Sequence, residues 1–155
     1  MPPLQLTYPE TMAPYALGRR VNMEEWNTLT GLAQVDTIGF AEPVQDGTTG
    51  EQVAPFTSGK FRGITEADYG INVATPTTAA RFPVGANVPV CESGVIAGLA
   101  VGTCTKRTPV YWVAASRGYT STASTNTLIP NAEFDATVSS GGLVPIRLRR
   151  IPPAA

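Results

Sequence analysis

Histidine is absent from all 155 residues of this sequence, and charged residues make up only 15% of it. Without histidine the chain lacks the commonest general base, the usual catalytic triad and the commonest metal ligand. The Gly-rich phosphate-binding patterns, the Gly-x-Ser-x-Gly nucleophile turn and Cys-x-x-Cys are absent as well. We therefore expect a protein that is not an enzyme and that holds no cofactor and no metal.

The charges are balanced as well as few. Lys+Arg number 11 and Asp+Glu 12, for a net charge of −1, and no block of like charge occurs. Nucleic acid and anionic lipid need a concentrated positive surface, so neither is an expected partner. The basic residues are nine Arg and two Lys. Because Arg is enriched at protein interfaces where Lys is depleted, this bias weakly favours a protein partner.

Long apolar runs are missing too. No run approaches the ~20 residues that a membrane span needs, and the opening Met1-Pro-Pro-Leu-Gln lacks the parts of a secretion signal. We expect a chain made and used without export, in which Cys91 and Cys104 are buried free thiols. A cross-strand disulfide between them, adding about 3 kcal/mol, is the alternative.

What the sequence does contain favours β-strands. Hydrophobic residues make up 43%, with 15 Gly and 14 Pro, and short runs of Val, Thr and Ile between Gly and Pro suit strands and tight turns. We predict an all-β protein, a small β-barrel or jelly-roll-like domain over residues 21–151. An extended Pro-rich arm, residues 1–20, precedes this domain, and a stub, residues 152–155, follows it.

The central stretch of the chain carries three β-rich runs, Val84–Glu92, Val95–Val101 and Pro109–Ala114. We predict a hairpin that turns at the small residues Ala97 and Gly98, which places Cys91 opposite Cys104. Within the third run Trp112 and Tyr111 lie on opposite faces. Both faces are apolar, which predicts a strand covered on both sides.

Alternating side chains predict further strands at Asp36–Val44, Gly59–Glu66 and Leu143–Arg150. The last is the clearest, with Val144, Ile146 and Leu148 facing inward and Arg147 and Arg149 facing outward.

A short helical turn is predicted within Val21–Val35, with Asn22 as its N-cap and Glu25 as the capping partner. We expect Trp26 to lie in the core, and the alternative is that it is a contact residue. Surface loops are predicted at Gln45–Gln52, Ala67–Ala80 and Ser116–Ile129.

Acid pairs at i,i+2 spacing are the remaining candidates for chemistry, at Glu66 with Asp68 and Glu133 with Asp135. Such pairs meet only the lower limit of the spacing that a glycosidase needs, so we interpret them as solvated or turn-capping acids. Asp46 and Glu51 lack the ligand pattern of a calcium loop.

The Pro-rich arm is the candidate contact segment. Its prolines are too closely spaced for a helix or an interior strand, yet it carries apolar side chains that a merely solvated tail does not need. Together with the arginines at the two ends of the domain, it supplies the predicted contacts with a partner protein or a neighbouring subunit: Leu6, Tyr8, Met12, Tyr15, Arg19, Arg20, Arg147 and Arg149.

Six segments in order carry a family resemblance: GFAEPV (39–44), FRGITEADYG (61–70), FPVGANVPVCESGVI (82–96), TPVYWVAASRGYT (108–120), IPNAEFDA (129–136) and GGLVPIRL (141–148). Over residues 18–150 the chain resembles the capsid cement, or decoration, proteins of tailed bacteriophages.

This resemblance implies a virion protein that is made in the host bacterial cytoplasm. It binds the outer surface of an icosahedral shell, bridges the major capsid proteins and stiffens the head, as a homodimer or homotrimer. The alternative is a glycan- or host-binding module of a virion, based on the aromatic loop Arg117-Gly118-Tyr119. A small hydrolase that uses the acid pairs is a third and weaker hypothesis.

Overall fold

The fold is described from a computed structural model that places residues 16–68 and 81–149. Within these residues the chain forms strands and turns and no helix. The nine strands are β1 (Asn27–Ala33), β2 (Pro43–Asp46), β3 (Gln52–Pro55), β4 (Phe61–Thr65), β5 (Asn87–Leu99), β6 (Pro109–Val113), β7 (Gly118–Thr120), β8 (Thr127–Phe134) and β9 (Leu143–Leu148). The predicted all-β class is confirmed.

Five strands close into a barrel in the order β1-β3-β2-β4-β5, because β5 pairs back onto β1. The β1–β5 pair is antiparallel, with Leu29 opposite Val90, whereas β1 and β3 run parallel. Alternate side chains point into the barrel, where burial of apolar surface stabilises the fold. This smaller core contains Ala33, Ile38, Val44, Val53, Phe82, Val88 and Val90.

The other strands extend the second half of β5 into a sheet in the order β5-β9-β8-β6-β7. A bridge between Ala100 and Tyr119 links the chain just after β5 to β7, so this sheet curls back toward its first strand. The larger core lies inside this curve, and it includes Ile96, Val110, Trp112, Tyr119, Ile129, Phe134, Val144 and Ile146.

Strand β5 belongs to both units. Its first half pairs with β1 and β4, and its second half pairs with β9. Gly94, at a φ of +119°, lies between the two halves and lets the strand change direction without ending. The predicted hairpin at Ala97-Gly98 is therefore wrong. These small residues are needed for packing, because a Cβ at Gly98 would lie 2.7 Å from the Tyr119 ring.

The two cysteines lie apart in this topology. Cys91 pairs with Ile64 on β4, whereas Cys104 forms a bridge with Val138. Both are buried free thiols. Burial raises the pKa of Cys91 to about 12 and that of Cys104 to about 11.

The second half of β5 pairs with β9 along one edge, and the chain just before the barrel covers its other edge. The Gly18 N–H donates to the Ala97 carbonyl at 2.8 Å, and the Val21 N–H donates to the Val95 carbonyl at 3.0 Å. Leu17 packs against the larger core. Residues 17–21, which include the last four residues of the predicted arm, are thus fixed to the domain.

Several strand predictions are confirmed, including those on β4, β6 and β9. On β9 the inward side chains Val144, Ile146 and Leu148 are all buried, as the alternation predicted. On β6 one face is buried, at Val110 and Trp112, while the other face is half-buried.

The predicted helical turn near Asn22 is wrong. The Asn22 side chain accepts a hydrogen bond from the Glu24 N–H at 3.3 Å, which caps a turn, and β1 follows. The strand predicted at Asp36–Val44 is also displaced, since Ala41 has a φ of +56° and β2 begins only after this bend. Strand β3 was missed.

The loop predicted at Ser116–Ile129 is wrong as well, since it contains β7 and the start of β8. Most of the other predicted loop, residues 69–80, lies outside the described residues, as do residues 1–15 of the arm and residues 150–155 at the other end.

Candidate interaction surface

Two arginines, Arg147 on the outer face of β9 and Arg149 just after it, pair with acids at the end of β8 and just before β1. Arg147 Nη2 donates to Asp135 Oδ2 at 2.9 Å and to Glu24 Oε1 at 3.0 Å. Arg149 Nη2 donates to Glu133 Oε1 at 2.6 Å. Their i,i+2 spacing places both arginines on one face, as predicted. We call these five residues the charged ladder.

Each arginine of the charged ladder is paired with acids of the same chain. The hydrogen bond from Arg147 lowers the pKa of Glu24, and the same contact raises the pKa of Arg147, to which Asp135 adds. Arginine paired in this way offers a shaped polar surface to a protein partner, because its charge is already balanced by acids of its own chain. Such a surface gives specificity more than affinity.

Arg20 lies between the barrel and the outer half of β5. It donates to Glu66 Oε1 at 2.6 Å and to the Thr28 hydroxyl, and its guanidinium stacks on the Trp26 ring at 3.3 Å from the centroid. Its Nη1 atom is buried and has no hydrogen-bond partner among the described residues. The structure therefore places Arg20 in a half-buried position, where it supports Trp26, whereas Arg19 is exposed.

The remaining predicted contacts, Leu6, Tyr8, Met12 and Tyr15, lie outside the described residues. They remain predictions.

An exposed apolar pair precedes β1, for which the sequence indicated a contact role at Trp26 only as the alternative and none at Met23. Met23 is 98% exposed and Trp26 is 53% exposed, so the expected core position of Trp26 is wrong. Arg20 covers the Trp26 ring on one side and Gly94 of β5 lies against its Cβ. The polar neighbours Glu24, Glu25 and Asn27 were the signal that this stretch lies at the surface.

Next to Trp26 lies an open hollow of about 280 Å³, lined by Glu25, Trp26, Asn27 and Ser93. We call it the Trp26 hollow. The Asn27 amide also donates to Glu92 Oε2 at 2.6 Å, which fixes its orientation. An exposed aromatic ring beside fixed polar groups is the usual composition of a protein contact site.

Three of the four candidate acids for chemistry are engaged in ion pairs. Glu66 binds Arg20, and Glu133 and Asp135 belong to the charged ladder. Asp46, considered for calcium, pairs with Arg62 at 2.9 Å. In residues 16–68 and 81–149, no three His, Cys, Asp or Glu side chains are grouped to hold a metal ion. The same residues contain no helix long and apolar enough to cross a membrane.

The aromatic loop considered for sugar binding is closed to ligands. Tyr119 is fully buried, and its hydroxyl donates to the Ala41 carbonyl at 2.7 Å. A neighbouring hollow of about 390 Å³ is lined by Phe56 and Trp112, which are both buried. Sugar recognition by aromatic stacking needs an exposed ring face, and these three rings do not offer one.

Taken together, these observations define an all-β protein with a closed barrel, internally paired charges and a small exposed apolar site. The family model described as "Structural cement protein (E217 gp24/Pam3 gp6)" matches residues 4–149. The chain belongs to this structural cement protein family, and it is a bacteriophage capsid cement, or decoration, protein. The match also extends the predicted resemblance, because it includes most of the Pro-rich arm.

The fold is similar to that of a chain in the structure titled "The capsid of Myoviridae Phage XM1", with a TM-score of 0.71 and 11% sequence identity. The alignment covers 98% of this chain and 100% of that one. No curated protein matches the sequence. The protein is thus a component of the virion and associates with capsid proteins, as the resemblance predicted.

Proposed function

We propose that this protein binds the outer surface of the assembled head, bridges neighbouring major capsid proteins as a homo-oligomer and stabilises the shell by contact alone, without turning over a substrate. The family match over residues 4–149 carries the proposal. The outer position is supported by the charge of the chain. A net charge of −1 and arginines bound to acids of the same chain give little attraction to packaged DNA.

The connection between the two units suits a part that bears load. Strand β5 runs through both, and its outer half is hydrogen-bonded on one edge to β9 and on the other to residues 18–21. Separating the barrel from the sheet means shearing many backbone hydrogen bonds at the same time. A cement that deformed easily would add nothing to the stiffness of the shell.

The contacts are proposed to be the arm residues Leu6, Tyr8, Met12 and Tyr15 together with Arg19, Arg20, Arg147 and Arg149. Each partner would bury about 800 Å², as in an ordinary protein interface. One oligomer that touches several capsid subunits at the same time gains avidity by about 10²–10⁴ over a single contact. Modest contacts are then sufficient for stable attachment.

The experiment is addition of the purified chain to shells assembled from the major capsid protein, followed by imaging of the particles. Density on the outside at junctions between capsid subunits is the expected result. A chain without residues 1–15 keeps Leu17 in the core and should fold, but it should add poorly to shells. Unchanged addition of that variant contradicts a contact role for the arm, and density inside the shell contradicts the proposed position.

Catalysis is tested with the acids of the charged ladder. The variants Glu133→Gln and Asp135→Asn remove ion pairs with arginine, and we expect them to change stability only. Turnover of a glycan or ester by the wild-type chain that these variants lack would contradict a purely structural function.

A further inference from the structure

The Trp26 hollow has the features of a peptide-binding site. Trp26 is fixed before any partner arrives, because Arg20 stacks on one side of it at 3.3 Å and Arg20 is itself bound to Glu66 at 2.6 Å. The base of the side chain is confined as well, since a Cβ at Gly94 would lie 3.0 Å from the Trp26 Cβ. A ring that is already ordered loses little conformational entropy on binding, which is the property of an interface anchor.

The groups around the ring suit an extended, proline-rich segment. Such segments adopt the polyproline II conformation, dock on aromatic grooves and leave their backbone carbonyls free to accept hydrogen bonds. Asn27 and Ser93 lie beside Trp26 in the hollow and carry donors. Met23, which is 98% exposed on the same segment, adds an adaptable apolar contact.

Two proline-containing ends of this chain lie outside the described residues, and the longer one is the candidate, because residues 150–155, RIPPAA, number only six. Residues 1–15, MPPLQLTYPETMAPY, have prolines at positions 2, 3, 9 and 14 with apolar side chains between them. The segment ends where the fold begins, next to Leu17 and Gly18. Residues 1–15 therefore have the proline-rich, apolar composition that the groups around Trp26 suit.

Geometry favours the arm of another copy over the arm of the same chain. Gly18 is hydrogen-bonded to Ala97, and Trp26 lies against Gly94. These two β5 positions are roughly 10 Å apart along the strand. Residues 1–15 in polyproline II conformation span roughly 46 Å, and a domain of this length has a radius of gyration of about 15 Å, so it is about 40 Å across. The arm is long enough to reach a neighbouring copy. To reach the hollow of its own chain, the arm would have to turn back, because the chain before Gly18 leads away from Gly94 and Trp26.

We propose that the Pro-rich arm of one copy binds the Trp26 hollow of a second copy, so that arms join the subunits of the cement to one another. The inference rests on the proposed function only in that several copies lie side by side on a shell. It names the partner of the arm as a second copy of this chain. The contact needs no capsid protein, so it is testable in solution.

The test pairs two full-length variants. Trp26→Ala removes the hollow and keeps the arm, whereas the double variant Leu6→Ser, Tyr8→Ser damages the arm and keeps the hollow. Each alone should associate at least tenfold more weakly than wild type in sedimentation, and a mixture of the two should form heterodimers. Leu128→Ala is the matched control, because Leu128 is 51% exposed on β8, and it should associate like wild type.

Fluorescence provides a second readout. The chain has two tryptophans, and Trp112 is buried, so a blue shift of the emission on association reports Trp26. Wild type and the mixed variants should show the shift, and Trp26→Ala should not. Thermal unfolding of Trp26→Ala, whose side chain is largely at the surface, verifies that the variant is folded.

Three results would overturn the inference. The first is a Trp26→Ala chain that associates as well as wild type, and the second is a mixture that forms no heterodimer. The third is a wild-type chain that stays monomeric at all concentrations, whether because its own arm fills the hollow or because Trp26 binds only the capsid protein. A chain that associates through Trp26 but does not add to shells would contradict the proposed function and leave this inference standing.

Discussion

A buried hydroxyl group joins the second sheet to the barrel side of the fold, beside the shared strand β5 and the Arg117–Glu42 ion pair, and its removal is a sharp test of the fold. Tyr119 lies on β7 and is fully buried, and its hydroxyl donates at 2.7 Å to the carbonyl of Ala41, which lies between β1 and β2. The variant Tyr119→Phe keeps the ring, which packs on Trp112 at a centroid distance of 4.9 Å. Only the hydrogen bond is lost.

The expected cost follows from the burial of the acceptor. A buried carbonyl left without its partner costs about 1–3 kcal/mol, and for a chain of this size each kcal/mol lowers the Tm by about 2–4 °C. Urea unfolding should show a lower midpoint with an unchanged slope, since the native surface stays the same.

Tyr111→Phe is the matched control for this variant. Tyr111 is half-buried on β6, and its loss of a hydroxyl should change stability by less than about 0.5 kcal/mol. Equal stability of the two variants would refute the idea that this hydrogen bond joins the two units.

Alkaline pH gives the same residue a second signature. Burial, with the nearby Glu42 carboxylate, raises the pKa of Tyr119 well above its ordinary value of 10.0. Above that value the unfolded tyrosine ionises while the folded one stays neutral, so the wild type loses stability as the pH rises. Tyr119→Phe lacks this loss, and the difference in unfolding midpoint between the two proteins should shrink above about pH 10. A constant difference would contradict the burial of the hydroxyl.

Three further predictions concern packing, charge and thiols. Gly98→Ala should cost about 1–3 kcal/mol by overpacking, because its Cβ would lie 2.7 Å from Ile146 Cδ1, whereas Gly50→Ala meets no atom within 4 Å and should be neutral in chemical unfolding. The hydrogen bond from Arg147 lowers the pKa of Glu24 below its ordinary value of 4.5, so the stabilisation from this contact is present above that value and is lost as the pH falls through the lowered pKa. Wild type and Glu24→Gln should therefore differ less in unfolding midpoint in acid than at neutral pH, and a gap that does not shrink in acid contradicts the contact. The two cysteine thiols, with pKa values raised to about 12 and about 11, should resist a thiol reagent at neutral pH until the chain unfolds, and rapid labelling of the native chain would contradict their burial.

The sequence predicted the elements whose pattern is local. Strand β9 is predictable from its alternating sequence, because Val144, Ile146 and Leu148 face the core while Arg147 is only half-buried on the other face. The all-β class follows in the same way from composition. What failed depends on partners far away in sequence. Strand β7 has only three residues, too few for a period to appear, and it is a strand because Tyr119 fills the larger core.

Glycine was the main source of error in the central stretch. In sequence, Gly94 and Gly98 are both typical of turns. In the structure Gly94 bends a continuous strand, and Gly98 makes room for Tyr119 and Ile146. A glycine that makes room for side chains distant in sequence is indistinguishable, in the sequence alone, from a glycine in a turn. The hairpin prediction could not separate the two.

The interaction surface was predicted in part. The spacing of Arg147 and Arg149 placed them on one outward face, but the acids that bind them, including Glu24 at the far end of the chain, were not predictable from local pattern. Trp26 was assigned to the core because tryptophan is usually buried. In the structure the Arg20 guanidinium covers one face of the Trp26 ring, and this contact with a polar side chain was not predictable from local pattern.

Imaging of shells with and without this chain, at a resolution that resolves its barrel, tests the central claim most directly. The account predicts density for the barrel and sheet on the exterior, across junctions between major capsid proteins, together with greater resistance of the decorated shells to heat. Particles that carry the chain only in their interior, or that are no more stable with it than without it, would contradict the account.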